Sequence, residues 1–535
     1  MAIKRYIANA DTTITNAFKS DLLTRGTGSN MGASDSLEVF SIYGQIVSGS
    51  SSTKTSELSR ILVNFPVSDI ATDRTNGDIP ASGSVNFYLR LFNAEHPFTV
   101  PENFTLSASA VKKDWEEGYG LDMENYSDIT RDKVGTNWIN SAEGTTWDRP
   151  GANYDTTFTS SFAQTFTSGR EDLEMDVTTL VEQWISSSAN SKSAVNLGDK
   201  TSARYGFGIH LTSSQEAKYT GTEEKGVISN PTGSIRSYYT KKFFSRGTEF
   251  FFKRPSVEAR WDSSKKDNRG NFYLSSSLAP ASDNLMKLYL YNFVRGQLKN
   301  IPGLGGPNSE NNVAYTKLLV SIYSGSSANT APYGSKQKFS VGGGTVTAGH
   351  LNTTASWVAT GTYSASFAFT GSTSLTKLYD VWHTGGAGIV DQYFTGSAVI
   401  LNTLQAYNHD PDATYVTSMP NLRAVYSDSE TARFRVYTRK KGWNPTIYTK
   451  ASKGVQMSMV EDAYYEVYRV KDDNPVIRYG TGSLNHTRLS YDASGSYFDL
   501  DTSMLEKGYM YGIKYVFYEN GKYTEQPDTF KFRVE

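Results

Sequence analysis

The residue types that support metal chemistry are scattered along this sequence. It contains six histidines, none within five residues of another: His96, His210, His350, His383, His409 and His486. This spacing contains no local zinc motif such as HxH or HExxH. The chain has no Cys, which excludes thiolate metal sites, iron–sulfur clusters, disulfides and cysteine nucleophiles. We therefore predict no metal and no cofactor.

Carboxylates and serines do not form a catalytic set by spacing either. The turn Asp410-Pro-Asp412 offers about three oxygens, whereas Ca²⁺ takes six to eight, so an ordinary Asx/Pro turn is the preferred interpretation. The neighbours Glu116 and Glu117 would point to opposite faces of a strand, so their spacing does not make them an acid/base pair. The Ser-Gly-Ser strings have no following helix and so lack a nucleophile elbow. We predict a non-enzymatic protein and leave a polysaccharide-cleaving enzyme as the weakest hypothesis, because no two carboxylates can be paired.

The elements that must position any site are strands. Short runs that alternate apolar and polar residues, rich in Tyr, Phe, Val, Leu and Ile, recur along the chain: Ser59–Phe65, Val85–Phe92, Tyr205–Leu211, Leu285–Leu290, Tyr315–Tyr323, Arg433–Thr438 and Tyr464–Val470. One helix is predicted over Asp176–Trp184, where Asp176 can act as the N-cap and the apolar residues fall on one face. Strands this short with almost no βαβ pattern predict an all-β protein of tandem antiparallel β-sandwiches.

The boundaries predict three domains. Residues 1–260 form the first sandwich, which ends on the predicted strand Ser256–Trp261 and is followed by the polar join Trp261–Asn271. Residues 261–428 form a second β-sandwich. Residues 429–535 have the length and strand spacing of an immunoglobulin-like domain.

Composition limits the partners and the compartment. The 535 residues carry 53 Lys and Arg against 54 Asp and Glu, a net charge of −1, which argues against nucleic acid as the main partner. No segment approaches the ~18 consecutive apolar residues of a membrane span, and we predict none. The start of the chain, Met1 to Asp11, is basic but lacks the apolar stretch of a secretory signal, so we predict use without export.

An ordered series of strings in the first half resembles a known domain. The series is Asp11-Thr-Thr-Ile-Thr, Asn30-Met-Gly, Leu37-Glu-Val39, Ser59-Arg-Ile-Leu-Val-Asn-Phe65, Asp114-Trp-Glu-Glu-Gly-Tyr-Gly120, Asn137-Trp138, Thr146-Trp-Asp-Arg-Pro-Gly151, Asp176–Trp184, Tyr205-Gly-Phe-Gly-Ile209 and Phe243–Trp261. In this order it resembles the DNRLRE-type domain. The resemblance implies a jelly-roll β-sandwich similar to the carbohydrate-binding modules of secreted proteins.

The aromatic residues of this series admit two interpretations. They are either core plugs or a platform for a sugar, and the core is favoured because large aromatic residues are usually buried: Trp115, Tyr119, Trp138, Trp147, Trp184 and, further along the chain, Trp382. Arg60 interrupts an apolar strand and would need a carboxylate partner if buried. Asp176 and Glu116 are the predicted partners.

From about residue 250 to 535 the sequence is similar to virion structural proteins of marine tailed phages, especially T4-like phages of cyanobacteria. The similarity lies in Asp267–Tyr273, Leu288–Arg295, Leu378–Phe394 and Gly396–Leu401. It implies a structural component of the virion, attached at the neck, collar or tail and assembled in the host cytoplasm with other virion proteins, as a homo-oligomer. The alternative is an adhesin or receptor-binding appendage that holds host surface polysaccharide on exposed aromatic residues such as Tyr119 or Trp382.

Overall fold

The structure, a computed structural model, describes most of the chain: residues 2–19, 24–48, 51–95, 100–121, 135–155, 162–186, 205–220, 226–304, 317–325, 334–342, 349–370, 375–385, 389, 391–396, 399–402, 413–443, 447 and 457–535. It divides into two compact units, Ala2–Trp261 and Asp262–Glu535. Strands dominate both units, so the predicted all-β class is confirmed.

The first unit contains thirteen described strands and two helices. The strands are β1 (Ile3–Ile7), β2 (Ala10–Thr15), β3 (Ser36–Ser48), β4 (Ser51–Asn64), β5 (Asn86–Leu91), β6 (Phe104–Ala110), β7 (Asn140–Ala142), β8 (Thr145–Thr146), β9 (Phe162–Phe166), β10 (Leu173–Asp176), β11 (Phe207–Leu211), β12 (Tyr238–Phe244) and β13 (Ser256–Arg260). The helices are α1 (Val67–Asn76) and α2 (Thr178–Ser186).

These strands form a jelly roll. One sheet has the order β1-β13-β5-β10, and the facing sheet contains β4-β11-β6-β9, extended at one edge by β3 and β12. Numbered along the chain, the eight strands of these two runs have the orders 1-8-3-6 and 2-7-4-5, which is the double Greek key of a jelly roll. Alternating residues of both sheets, such as Leu89 and Val257 from one and Ile61 and Phe207 from the other, share one apolar core.

Of the two helices, the sequence predicts only α2. The Asp176 side chain accepts the Thr178 N–H at 2.9 Å, and Leu180, Val181 and Trp184 are buried, as the apolar pattern predicts. The chain also forms α1, which the sequence analysis missed. This helix buries only Val67 and Ile70, so its sequence carries no helical apolar stripe.

The second unit contains the remaining strands. They are β14 (Phe272–Tyr273), β15 (Met286–Tyr291), β16 (Phe293–Val294), β17 (Gln297–Leu298), β18 (Leu319–Tyr323), β19 (Lys336–Gln337), β20 (Thr353–Thr354), β21 (Ser356–Ala359), β22 (Thr362–Phe367), β23 (Lys377–His383), β24 (Gln392–Thr395), β25 (Val399–Asn402), β26 (Tyr415–Ser418), β27 (Val425–Tyr426), β28 (Thr431–Lys440), β29 (Ala463–Arg469), β30 (Asn474–Ile477), β31 (Ser490–Asp492), β32 (Gly495–Asp501), β33 (Met510–Glu519), β34 (Lys522–Glu525) and β35 (Phe530–Val534).

Strands β14 to β25 build a middle sandwich. The sheet β15-β22-β21 and the larger sheet around β25-β23-β18 contribute to a single core. Leu288 and Phe367 enter this core from the smaller sheet, and Val320 and Trp382 enter it from the larger one. The second predicted sandwich is thus present as two sheets that enclose one apolar layer.

Strands β26 to β35 build an immunoglobulin-like sandwich. Its sheets have the orders β26-β28-β32-β31 and β27-β35-β33-β29-β30, which match the ABED and GFC arrangement of that fold. At the start of β33 the Tyr511 hydroxyl donates to the Glu506 carbonyl at 2.7 Å, the hydrogen bond of a tyrosine corner. The sandwich begins at Tyr415, before the predicted boundary at 428 and 429, because β26 and β27 pair with strands of this fold.

A connecting segment, defined here as residues 262–271, is held by both sandwiches of the second unit. The Tyr491 N–H of β31 donates to the Lys265 carbonyl, and the Asp267 N–H donates to the Tyr491 carbonyl, each at 3.0 Å. Asn268 also donates from Nδ2 to the Tyr491 hydroxyl at 3.1 Å. On the other side, Arg269 makes two bonds of 2.6 and 2.7 Å to Asp380 of β23. Directional bonds on both sides fix the segment relative to each sandwich.

Candidate functional site

A second apolar layer covers the outer face of the larger jelly-roll sheet. Strand β4 alternates, with Ile61 and Val63 in the inner core and Leu58 and Leu62 facing outward. We call the outward cluster the outer layer, and its members are Ile14, Leu58, Leu62, Val111, Trp115, Trp138, Trp147, Ala152 and Ile228. Most of them lie on loops, so this layer packs loop residues against the outer face of the sheet.

Three of the predicted aromatic residues belong to the outer layer and are buried. Their indole N–H groups donate to backbone carbonyls, from Trp115 to Tyr205 (2.9 Å), from Trp138 to Gly226 (2.5 Å) and from Trp147 to Asn137 (2.9 Å). A buried ring with its N–H satisfied is the ordinary environment of a core tryptophan. These rings hold loops against the sheet.

The other three predicted aromatic residues divide between core and surface. Trp184 packs on Phe207 of the inner core with ring centroids 5.0 Å apart. Trp382 is fully buried in the middle sandwich, and its Nε1 donates to Asp380 at 2.6 Å. The prediction of Trp382 as an exposed sugar contact is therefore wrong, because its strand alternation directs it into the core. Tyr119 is 75 % exposed.

Arg60 is buried in the floor of the outer layer and has a different partner from those predicted. Its guanidinium donates to both carboxylate oxygens of Glu216 at 3.0 and 3.1 Å, and to the Gly151 carbonyl at 3.0 Å. It lies over the rings of Trp138 and Tyr154. Asp176 instead caps α2, so the prediction of Asp176 or Glu116 was wrong. Glu216 lies on a loop 156 residues away, and no local pattern marks that pairing.

A pocket of about 320 Å³ opens beside Arg60. Its lining contains both polar and apolar side chains: Arg60, Lys112, Asp148, Arg149, Ala152, Asn153, Tyr154 and Ile228. Half of these residues belong to the turn after Trp147, where Gly151 and Ala152 both adopt positive φ. Trp138 packs against Gly151 so closely that an added Cβ would lie 2.9 Å from its ring. The turn is thus fixed by the layer beneath it.

Three of the four charged residues that line the pocket, Arg60, Lys112 and Asp148, have an oppositely charged neighbour. Glu216 neutralises Arg60, and Lys112 lies 3.9 Å from the buried carboxylate of Asp155. Asp148 pairs with Lys113 at 3.2 Å. A lining of mostly paired charges and hydrogen-bonding groups suits a neutral, hydroxyl-rich ligand better than a strongly ionic one.

Burial keeps the Tyr154 phenol and the His210 imidazole, which lie near Arg60, uncharged. It raises the pKa of the Tyr154 phenol to about 12, against the lowering effect of Arg60, so the hydroxyl stays protonated at neutral pH. Burial likewise lowers the pKa of His210, whose ring lies 5.0 Å from that of Tyr154. Gly208 on β11 leaves the space for Tyr154, since a Cβ there would lie 1.9 Å from the tyrosine ring. Tyr154 and Glu216, which sequence reasoning missed, become visible as site residues only through these long-range contacts.

The described part of the chain contains no cluster of three or more His, Cys, Asp or Glu side chains able to hold a metal ion. The turn at Asp410–Asp412 and the residues His96 and His409 lie outside the described residues. No helix within the described ranges is long and apolar enough to cross a bilayer. The pocket lining contains one carboxylate, Asp148, whereas glycoside hydrolysis commonly uses two.

No family model matches the chain, and no curated protein matches its sequence.

Proposed function

We propose that this protein is a non-enzymatic structural component of a tailed-phage virion, attached at the neck, collar or tail and assembled in the host cytoplasm. It would act by presenting β-sandwich domains at fixed positions to other virion proteins. Symmetric particles contain such parts in several copies, so the proposal includes a homo-oligomer in the particle.

The observation that carries this proposal is the connecting segment of the second unit. Arg269 binds Asp380 on one side, and Asn268 binds Tyr491 on the other, so the middle and immunoglobulin-like sandwiches are joined through directional bonds. A buried bidentate ion pair is a geometrically specific contact. A protein that must hold a fixed position in a particle needs rigid connections between its domains, whereas a flexible linker would leave the domains free to reorient.

The test is quantitative mass spectrometry of purified phage particles. We expect the chain at a fixed copy number that matches the symmetry of the neck or tail. Particles grown without its gene should lack one morphological feature in electron micrographs. A protein inventory of intact particles without this chain would overturn the proposal.

A second function, carbohydrate binding, is favoured by the pocket beside Arg60. Its amide, phenol and guanidinium groups provide the hydrogen-bond partners that sugar hydroxyls need. The two functions are compatible, since a virion part can also contact host surface polysaccharide.

The carbohydrate function is tested on a glycan array with the intact chain. Asn153→Ala should abolish binding, because Asn153 lines the pocket, while Arg170→Ala, an exposed residue outside the lining, should leave it unchanged. The variant Tyr119→Ala distinguishes binding in this pocket from binding on the exposed ring of Tyr119, because only the second depends on that ring. An array without a bound glycan would count against the carbohydrate function and leave the virion proposal untouched.

A further inference from the structure

Lys241 on β12 is a lysine with no solvent exposure. Its amine donates to Asn93 Oδ1 at 2.5 Å, to the Gly169 carbonyl at 2.9 Å and to the Glu171 carbonyl at 2.8 Å. The rings of Phe166 and Phe243 lie 5.0 and 5.1 Å from Nζ. Lysine is among the residues least often fully buried, so this placement needs a reason.

The contact with Asn93 brings an amine against an amide carbonyl. A carbonyl carbon lies one C=O bond, about 1.23 Å, from its oxygen, so Nζ lies within about 3.7 Å of the Asn93 Cγ. This is close to the separation of a near-attack geometry. In this contact Nζ approaches from the oxygen side of the amide, so a rotamer change of Lys241 or Asn93 that brings Nζ over the amide plane is the step that precedes nucleophilic addition.

Burial also changes the protonation of the amine. It lowers the pKa of Lys241 to about 8, against the raising effect of Glu171 and Asp172. A lysine amine desolvated in an apolar environment is an activated nucleophile, because more of it is neutral near physiological pH.

A carboxylate for proton transfer lies beside the pair. Asp172 Oδ1 accepts the backbone N–H of Asn93 at 2.9 Å, which holds it next to the reacting side chain. Glu171 is a poorer proton carrier, because hydrogen bonds from Thr167 and Ser168 overcome its burial and lower its pKa to about 2. We assign the proton transfer to Asp172, because its hydrogen bond to the Asn93 backbone places it beside the reacting side chain.

We propose that Lys241 and Asn93 react within the chain to form an isopeptide bond. The neutral Nζ attacks Cγ of Asn93, and Asp172 takes a proton from the attacking nitrogen. Asp172 then gives that proton to the amide nitrogen as the Cγ–Nδ2 bond breaks. The products are a Cγ–Nζ amide and one molecule of ammonia, so atoms balance and no oxidant or cofactor is needed.

The bond would link the two sheets of the jelly roll. Lys241 lies on β12 at the edge of one sheet, and Asn93 follows β5 in the other, 148 residues away along the chain. A covalent link of that span restricts the unfolded chain in the same way as a long-range disulfide. In a chain without Cys it is a route to a covalent clamp that is independent of redox conditions.

The test is the intact mass of the full-length folded chain after incubation at about pH 9, where most of the amine is neutral. We expect a mass lower than the sequence mass by one ammonia, and a branched peptide that joins the Asn93 and Lys241 segments after proteolysis. The branched peptide separates this reaction from loss of ammonia elsewhere. A folded wild-type chain that keeps its full sequence mass would overturn the proposal and leave Lys241 as a buried cation only.

Variants assign the roles. Lys241→Ala and Asn93→Ala should give chains of linear mass, whereas Lys242→Ala, which removes the neighbouring surface lysine, should retain the branched peptide. Asp172→Asn should slow bond formation at least tenfold and change its pH profile, a readout that a purely structural role of Asp172 would not move. Formation at the wild-type rate in Asp172→Asn would contradict the proton-transfer role.

Discussion

Buried charge is arranged differently in the two units of the molecule. In residues 2–261, Glu258 on β13 accepts hydrogen bonds from Arg5, Arg90 and Arg260, which lie on β1, β5 and β13 itself. In residues 262–535, the buried pair Arg269–Asp380 joins a connecting segment to a sheet. One cluster therefore ties neighbouring strands of a single sheet, and the other ties a segment shared by two sandwiches.

This difference teaches which parts of each unit depend on one another. Losing the Glu258 cluster should weaken the pairing of β1, β13 and β5, because Glu258 lies directly opposite Arg5 of β1, and Arg90 of β5 lies opposite Ser256. Losing the Arg269 pair affects how the middle sandwich is held to the segment that also contacts the immunoglobulin-like sandwich. Buried ion pairs therefore connect strands of one sheet in the first unit, and connect a segment to a sandwich in the second.

The largest expected effect is that of Glu258→Gln. Burial alone would raise the pKa of Glu258, but Arg90, Arg5 and Arg260 overcome it and hold the pKa well below its ordinary value. Removing this anion leaves three arginines around an uncharged centre, and we expect a loss of about 3–5 kcal/mol in the free energy of unfolding of residues 2–261. Calorimetry of the intact chain should show this transition shifted to lower temperature. Glu174→Gln is the control, since its half-exposed carboxylate should cost about 1 kcal/mol or less.

Arg269→Met should have the next largest effect. It leaves the buried carboxylate of Asp380 with the Trp382 N–H as its remaining described side-chain donor, at an expected cost of about 3 kcal/mol. The double variant Arg269→Met with Asp380→Leu should recover much of this loss, because it removes both charges. Urea denaturation of both variants measures the difference. A double variant no more stable than the single one would show that the pair acts through something other than charge burial.

Asp267→Asn tests the same connecting segment through the pH dependence of stability. Burial raises the pKa of Asp267 to about 7, against the lowering effect of Arg269. The folded chain then keeps a proton between about pH 4 and 7 that the unfolded chain releases, so this residue makes stability fall as pH rises through that window. Asn cannot ionise, and above pH 7 the variant should be more stable than wild type by up to about 4 kcal/mol, the free energy that corresponds to raising the pKa from its ordinary value of about 4 to about 7.

The measurement is the difference in free energy of unfolding between Asp267→Asn and wild type at about pH 5 and pH 8. The stabilisation relative to wild type should appear at the higher pH and shrink at the lower one. The transition of residues 2–261 serves as the internal control and should not change. A difference that is the same at both pH values would contradict the raised pKa.

Tyr511→Phe should have the smallest effect. It removes the hydroxyl that donates to Glu506 in the tyrosine corner, and a neutral buried hydrogen bond contributes about 1 kcal/mol. The urea midpoint of the second unit measures this loss. Tyr518→Phe on the same strand is the control, because Tyr518 is exposed and should give no measurable change.

Much of the fold was predictable because its signals are local. The predicted strand Tyr464–Val470 became β29, and Val85–Phe92 became β5, since alternation of side chains follows directly from strand geometry. The cap at Asp176 and the stripe that ends on Trp184 identified α2 for the same reason. Helix α1 was missed because only Val67 and Ile70 are buried in it.

The candidate site was far less predictable. Arg60 stood out as a charge in an apolar strand, so the sequence indicated that it needed a partner. Its partner, Glu216, and the ring of Tyr154 come from distant loops, and many carboxylates in the chain satisfy the same requirement. Trp382 and Tyr119 were equal candidates for an exposed platform, although one is buried and the other is open to solvent.

The sequence by itself determined the all-β class and the position of most strands, because those properties depend on side-chain type and period. The tertiary structure alone decided that loops fold back as an outer layer, that Arg60 meets Glu216, and that Lys241 faces Asn93. Such contacts depend on where two sheets and their loops cross in space. Separations of 156 and 148 residues leave no trace of them in local spacing.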